Sequence, residues 1–209
     1  MILADVGNTH VHLYEEGRIL HLELDDALEI FGERIVHYIC VNDAAKERIV
    51  AESYWRDVSE RIELPGSYPG MGADRRALCL SRGDGLYVDA GSAITLDRVE
   101  EGRYRGGAIF PGVRAWERAF AAVSPALDRE PDWEVDPDLL PKGTRRQISY
   151  GIMAPIVHTV RATRGELPLY VTGGDGRRIA SWLGEGIRWE EGLVFEGMIR
   201  ALGMPEASR

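Results

Sequence analysis

The stretch Asp5-Val6-Gly7-Asn8-Thr9 (DVGNT) follows the apolar run Met1–Ala4 and precedes a segment in which Val11 and Leu13 alternate with polar residues. A short apolar run is typical of a buried strand, and alternation is typical of a strand with one buried face. The stretch therefore predicts a turn between two strands of a β-meander. Its glycine permits a tight turn and lets a phosphate approach the backbone amides, while the Asn and Thr side chains add donors. A plain hairpin turn fits the same residues.

The pattern returns at Asp89-Ala90-Gly91-Ser92, where a strand from Gly85 again precedes Asp-x-Gly and an alternating segment again follows. A meander followed by helices and strands, used twice, indicates an internal duplication, although so short a repeat can also arise by chance. The sequence thus predicts two domains, residues 1–80 and 81–209, each with one such turn. Because Asp5 ends a strand beside the first turn, it is also a candidate to hold Mg²⁺ through water.

The composition is that of an acidic globular protein. Its 209 residues carry a formal net charge of −9, which argues against nucleic acid or an anionic membrane as the main partner. The two cysteines, Cys40 and Cys79, lack the spacing of a zinc site and indicate buried thiols in a reducing compartment. The sequence shows no signal peptide and no apolar run long enough to span a membrane, so we expect a cytoplasmic protein.

Periodicity predicts the remaining elements. Asn42 is a suitable N-cap for a helix with an apolar stripe through Ile49 and Val50. The Pro- and Asp-rich residues 125–141 indicate a loop or lid. The other predicted strands are 35–41, 61–64, 85–89, 103–109 and 168–172, and the other predicted helices are 74–81, 113–123, 147–164, one starting at 179, and 193–202.

Four further motifs contain glycine at a place where it can matter for a site. In Gly72-Ala73-Asp74-Arg75, a carboxylate and a guanidinium at a helix start can pair a general base with an anion anchor, or simply cap the helix. Thr172-Gly173-Gly174-Asp175-Gly176 suits close approach to a nucleotide, or is an ordinary strand-to-helix turn. Gly106–Gly112 predicts a strand that ends against another segment or a ligand. Thr144, after Lys142-Gly143, is a candidate substrate donor or a helix N-cap.

The order of these six motifs along the chain resembles that of the type III pantothenate kinases, short members of the actin, hexokinase and Hsp70 superfamily. The resemblance covers nearly the whole sequence, and its most specific parts are the motifs at 72–75 and 106–112. It implies an α/β fold of two ribonuclease H-like (actin-like ATPase) domains, each a mixed sheet flanked by helices, related by internal duplication. It also implies ATP-dependent phosphorylation of pantothenate, the first step of coenzyme A biosynthesis, by a homodimer with the pantothenate pocket at the subunit interface.

The resemblance further implies roles for the motif residues. Asp74 would accept the proton of the pantothenate hydroxyl, and Arg75 would bind the substrate carboxylate. Asp89 would hold a monovalent cation, K⁺ or NH₄⁺, while Mg²⁺ accompanies ATP. The residues implied to contact ATP are Asp5, Val6, Gly7, Asn8, Thr9, His10, Val11, His12 and Ser92. The residues implied to contact pantothenate are Tyr68, Gly72, Ala73, Asp74, Arg75 and Thr144.

The chain departs from the family pattern at three of these places. Ala90 and Ser92 replace a Phe and a Thr in the second turn, where the serine keeps the hydroxyl, and Gly143 replaces an Asn before Thr144. Two other functions stay open on the sequence. One is another small-molecule kinase or phosphatase of the superfamily, and the other is a nucleotide-binding regulator without catalysis.

Overall fold

The computed structural model describes residues 1–204 and contains two mixed β-sheets. The strands of the first sheet are β1 (Ile2–Val6), β2 (Val11–Glu15), β3 (Arg18–Leu22), β4 (His37–Cys40) and β5 (Arg56–Asp57). The strands of the second sheet are β6 (Gly85–Ala90), β7 (Ala93–Glu100), β8 (Arg103–Pro111) and β9 (Leu169–Thr172).

The two sheets share one strand order. The first runs β3-β2-β1-β4-β5 and the second runs β8-β7-β6-β9. Each begins as a meander of neighbouring strands, and the first strand of each meander then pairs in parallel with a later strand, β4 or β9. Both predicted meanders and the predicted α/β class are confirmed, and the shared order agrees with a duplication.

Seven helices and two short 3-10 turns complete the described residues, and one of the helices is absent from the sequence prediction. The helices are α1 (Leu24–Phe31), α2 (Asp43–Glu52), α3 (Ala73–Leu80), α4 (Val113–Val123), α5 (Thr144–Arg164), α6 (Gly176–Leu183) and α7 (Leu193–Leu202). Residues 19–24 alternate in the pattern of a strand, and this alternation concealed the start of α1 at Leu24. The predicted strand at 61–64 is wrong, because Arg61 ends a 3-10 turn that begins at Ser59 and residues 62–64 form no strand.

Helix α2 begins as predicted but buries a narrower face. The side-chain oxygen of Asn42 accepts a hydrogen bond from the Ala45 amide at 3.1 Å, which confirms the N-cap. Ile49 is fully buried, whereas Val50 is 70% exposed. The predicted stripe through Val50 is therefore wrong, because successive helical residues point about 100° apart and only one of the pair faces the sheet.

Contacts group the chain into two compact units. The first contains residues 1–83, the hairpin tip 100–104 and residues 192–204, and the second contains residues 84–99 and 105–191. The domain bounds 1–80 and 81–209 stay a prediction. Within the first unit, Val6 and Val11 belong to a core that includes residues of α1 and α2. Since side chains alternate along a strand, Asp5 and His12 point to the opposite face of the sheet.

Helices α3 and α7 of the first unit approach each other very closely. A Cβ atom built on Gly197 would lie 1.7 Å from the carbonyl oxygen of Ala77, so the two backbones meet where α7 has no side chain. Arg82 and Glu196 add an ion pair at 3.1 Å. The position of α3 therefore depends on a glycine far away in the sequence.

Within residues 1–204, no helix combines the length and the apolar character that a membrane span needs.

Candidate active site

The first predicted turn joins β1 and β2 and exposes its tip. Asn8, Thr9 and His10 are exposed, and the Gly7 amide donates to the His10 carbonyl at 3.1 Å. Gly7 does not have a positive φ, and a methyl group there would meet only that carbonyl, at 3.5 Å. The turn itself therefore does not require glycine at this position.

A cavity of about 270 Å³ lies beside this turn within the first unit. Arg48 contributes the charged wall, but it is already held by Asp25 at 2.7 Å and by Glu52 at 3.0 Å. Neither Asp5 nor His12 is among the lining residues. Six of the predicted ATP-binding residues line it: Val6, Gly7, Asn8, Thr9, His10 and Val11. The other lining residues are Glu23, Leu24, Asn42, Ala44, Ala45 and Arg48.

The strand register brings three polar residues into one row across the first sheet. Asp5 of β1 is paired with His12 of β2, which is paired with His21 of β3. The Nδ1 atoms of the two histidines lie 2.6 Å apart, so one ring donates the proton and the other accepts it. His10 instead contacts Glu23 at 3.3 Å. No sequence motif singled out His21.

The motif at residues 72–75 forms the start of α3. Gly72 is the N-cap, and a Cβ atom there would lie 2.3 Å from a carboxylate oxygen of Asp74. Ala73 is buried, while Asp74 is half-buried and accepts a hydrogen bond from the Arg75 amide at 2.8 Å. A carboxylate in the first helical turn is favoured by the amide dipoles there. The alternative that Asp74 is the N-cap is wrong.

The Arg75 side chain is the buried charge of this region, with 8% of the residue exposed. One terminal nitrogen donates to the Tyr68 hydroxyl at 2.9 Å, and the other donates to the Tyr104 hydroxyl at 3.3 Å. The two tyrosine rings lie 6.2 Å apart. The structure therefore brings Tyr68, Asp74 and Arg75 together and adds Tyr104, which no motif signalled.

The second predicted turn, in the other unit, joins β6 and β7. Asp89 is paired with Thr95 of β7 and with Thr172 of β9, and Ser92 is exposed at the tip. The Thr95 hydroxyl is buried and has no hydrogen-bond partner within the described part of the chain. An oxygen donor beside a carboxylate suits an alkali or alkaline-earth cation.

Two glycine motifs converge on this second turn. The Gly112 amide donates to the Ser92 carbonyl at 3.1 Å, and a Cβ atom on Gly112 would lie 2.5 Å from that oxygen. Gly173 has a φ of +86°, and its Cβ atom would lie 2.4 Å from an Asp89 carboxylate oxygen. The motif at 106–112 therefore ends against another segment, as predicted, and Thr172-Gly173 shapes the surroundings of Asp89.

Thr144 is the exposed first residue of α5. Gly143, with a φ of +95°, is the N-cap, so the alternative that Thr144 caps the helix is wrong. Among residues 1–204, no group of three or more His, Cys, Asp or Glu side chains is arranged to hold a metal ion by itself. A cation at Asp5 or Asp89 would therefore need ligands from a phosphate, from water or from neutral oxygens.

The chain is similar in sequence to proteins that share one family description. A family model described as type III pantothenate kinase matches residues 41–164. A type III pantothenate kinase from Helicobacter hepaticus is 38% identical over 97% of this chain and 98% of its own length. One from Sulfurimonas denitrificans is 36% identical over 95% of each chain.

Solved structures extend the likeness to the fold. A protein from Campylobacter jejuni, described as a conserved Baf family transcriptional activator, is 30% identical and covers 97% of this chain and 98% of its own, with a TM-score of 0.85. A protein from Sinorhizobium meliloti, described as a 2-dehydro-3-deoxygalactonokinase, has a TM-score of 0.56 over 96% of this chain and 97% of its own. At 11% identity it bears on the fold alone.

Proposed function

The chain belongs to the type III pantothenate kinase family, and from that premise we propose that it transfers the γ-phosphoryl group of ATP to the primary hydroxyl of pantothenate. The hydroxyl oxygen forms the new bond to phosphorus, the bond to the β-phosphate oxygen breaks, and ADP leaves. The hydroxyl proton passes to Asp74. Such transfers depend mainly on positioning and on neutralising phosphate charge.

The observation that carries this proposal is the cluster at the start of α3. Asp74 and Arg75 are adjacent, so a carboxylate that can accept a proton lies beside a buried guanidinium that can bind a carboxylate. The Tyr68 hydroxyl, in the loop before the helix, accepts a hydrogen bond from the guanidinium. A substrate that carries both a hydroxyl and a carboxylate can use both groups.

The first turn is proposed to bind the phosphates of ATP. The turn does not itself require glycine at Gly7, so the absence of a side chain there favours close approach of a ligand to the backbone amides. Asp5 and His12, on the other face of the sheet from Val6 and Val11, would flank the phosphates. Mg²⁺ bound with ATP would neutralise phosphate charge, and Asp5 is its proposed ligand through water.

Asp89 is proposed to bind the monovalent cation. The buried Thr95 hydroxyl paired with it supplies a second oxygen, which fits K⁺ or NH₄⁺ rather than a site that needs several carboxylates. Ser92 is proposed to contact ATP through its exposed hydroxyl. Activity in K⁺ buffer should exceed activity in Na⁺ buffer, and Asp89→Asn should remove the difference; equal activity in both buffers for the native protein would contradict the assignment.

Two further proposals rest on the family alone. Thr144 is proposed as a further pantothenate contact, and the protein is proposed to be a homodimer. Sedimentation velocity should give about twice the 23.3 kDa mass of the chain, and a monomer at micromolar concentration would overturn the dimer.

The test of the proposed function is a coupled assay with ATP, Mg²⁺, K⁺ and pantothenate, run beside a panel of sugars and other hydroxyl compounds. We expect turnover with pantothenate and none with the panel. Turnover with a panel compound alone would identify another kinase of the superfamily. The similar Campylobacter jejuni protein is described as a transcriptional activator, so a nucleotide-binding regulator is the second candidate. ATP binding without any phosphoryl transfer would favour that regulator.

A further inference from the structure

Tyr104 lies outside every motif that the sequence analysis singled out, yet its hydroxyl contacts the guanidinium of Arg75. The two are 29 residues apart, and the contact is made at 3.3 Å in a part-buried setting. Tyr68 accepts from the other terminal nitrogen of the same guanidinium. Hydrogen bonds from both terminal nitrogens restrict rotation of the guanidinium. The orientation of its plane decides whether a carboxylate can bind it through two parallel hydrogen bonds.

The backbone around Tyr104 explains how it reaches this place. The Tyr104 amide donates to the Pro65 carbonyl at 2.8 Å, which attaches the start of β8 to the loop before α3. Gly66 has a φ of +82°, and a Cβ atom there would lie 2.8 Å from the Tyr104 carbonyl oxygen. Contacts accordingly group residues 100–104 with the first unit, not with the rest of their hairpin. The close approach of the Gly66 and Tyr104 backbones requires a glycine at residue 66.

We propose that Tyr104 is a positioning residue that orients Arg75 toward the carboxylate of the substrate. This inference rests on the proposed function, in which Arg75 binds the pantothenate carboxylate. Tyr104 holds one terminal nitrogen, Tyr68 holds the other, and the packing of the two rings keeps both hydroxyls in place. The role concerns substrate binding and leaves the phosphoryl-transfer step to other groups.

The test is Tyr104→Phe, which keeps the ring and removes only the hydroxyl. We expect the KM for pantothenate to rise about tenfold, because a hydrogen bond to a charged group is lost, with kcat changed less than twofold. Panthenol, which carries an alcohol in place of the carboxylate, should show the same KM with the native protein and the variant. Tyr54→Phe, at an exposed tyrosine, is the matched control and should change neither value.

A purely structural role for Tyr104 would raise the KM for both substrates together, and that result would overturn the proposal. An unchanged KM for pantothenate would also overturn it. Gly66→Ala is a second variant that keeps both hydroxyls but pushes on the Tyr104 backbone, and it should reproduce the selective rise. If the native protein phosphorylates pantothenate and both variants keep the native KM values, this inference is contradicted and the proposed function stands. If the native protein does not phosphorylate pantothenate, the proposed function is contradicted as well.

Discussion

Gly197→Ala tests the contact on which the position of α3 depends. The new methyl carbon would lie 1.7 Å from the Ala77 carbonyl oxygen, whereas real Cβ atoms stay beyond about 3 Å, so α3 and α7 must separate by roughly 1 Å or more. The obstacle is backbone and cannot rotate away. Overpacking of this kind costs about 1–3 kcal/mol, and the obstacle places this case at the upper end. The helix preference of Ala over Gly returns about 1 kcal/mol.

The net expectation is a loss of about 2 kcal/mol in the free energy of unfolding. For a chain of this length, that lowers the melting temperature by about 4–8 °C. Gly151→Ala is the matched control, because Gly151 also lies inside a helix and its added methyl would meet only the Phe120 ring, at the ordinary distance of 3.5 Å. That variant should gain up to about 1 kcal/mol from helix preference.

The assay is urea unfolding of the three proteins, followed by the KM for pantothenate. Because Asp74 and Arg75 start the helix that carries Ala77, displacement of α3 should also raise that KM in Gly197→Ala and not in Gly151→Ala. Equal stability of the native protein and Gly197→Ala would refute the close approach. Equal destabilisation by both variants would show that any helical substitution of this size is harmful. It would contradict the claim that the close approach of Gly197 to Ala77 causes the loss of stability.

The remaining predictions concern the second turn and one ion pair. Gly173→Ala pushes a methyl group to 2.4 Å from the Asp89 carboxylate at a φ that disfavours side chains, so it should reduce kcat at least about tenfold and weaken the K⁺ response, as measured by K⁺ titration. Ser92→Ala should raise the KM for ATP by about threefold, as expected for one neutral hydrogen bond, and leave the KM for pantothenate unchanged. Burial raises the pKa of the Asp57 carboxyl, but hydrogen bonds from Lys46 and Ser59 outweigh burial and hold the pKa below its ordinary value of 3.8. The lowered pKa stabilises the folded protein above the pKa of the unfolded carboxyl, and this stabilisation is lost as the pH falls through the folded pKa. The difference in urea midpoint between the native protein and Asp57→Asn should therefore persist at neutral pH and shrink below pH 3.8.

Local patterns were sufficient wherever the structure is decided by neighbours in the sequence. The alternation around Val11 and the Asn42 cap involve residues only a few positions apart, and both were predicted. Helix α1 was missed because its first residue, Leu24, also ends an alternating run, and α1 owes its place to tertiary packing of Leu28 and Phe31. Single-sequence patterns do not register such packing.

The site divides in the same way. Asp74, Arg75 and Tyr68 lie within eight residues of one another, so a local sequence motif is enough to pick them out. Tyr104 reaches Arg75 only because the β7–β8 hairpin meets the loop at Pro65, and nothing near Tyr104 in the sequence indicates that contact. The placement of Gly173 against Asp89 likewise follows from the parallel pairing of β6 with β9.

The most direct test of the account is Asp74→Asn, measured for turnover and for pantothenate binding in the same preparation. Asp43→Asn serves as the control, because Asp43 is also an acidic residue in the first turn of a helix. We expect Asp74→Asn to bind pantothenate with nearly the native Kd but to lose phosphoryl transfer by about 10²-fold or more, the usual contribution of a positioned general base, while Asp43→Asn keeps both. Turnover by Asp74→Asn close to the native rate would contradict the assignment of Asp74 as the proton acceptor.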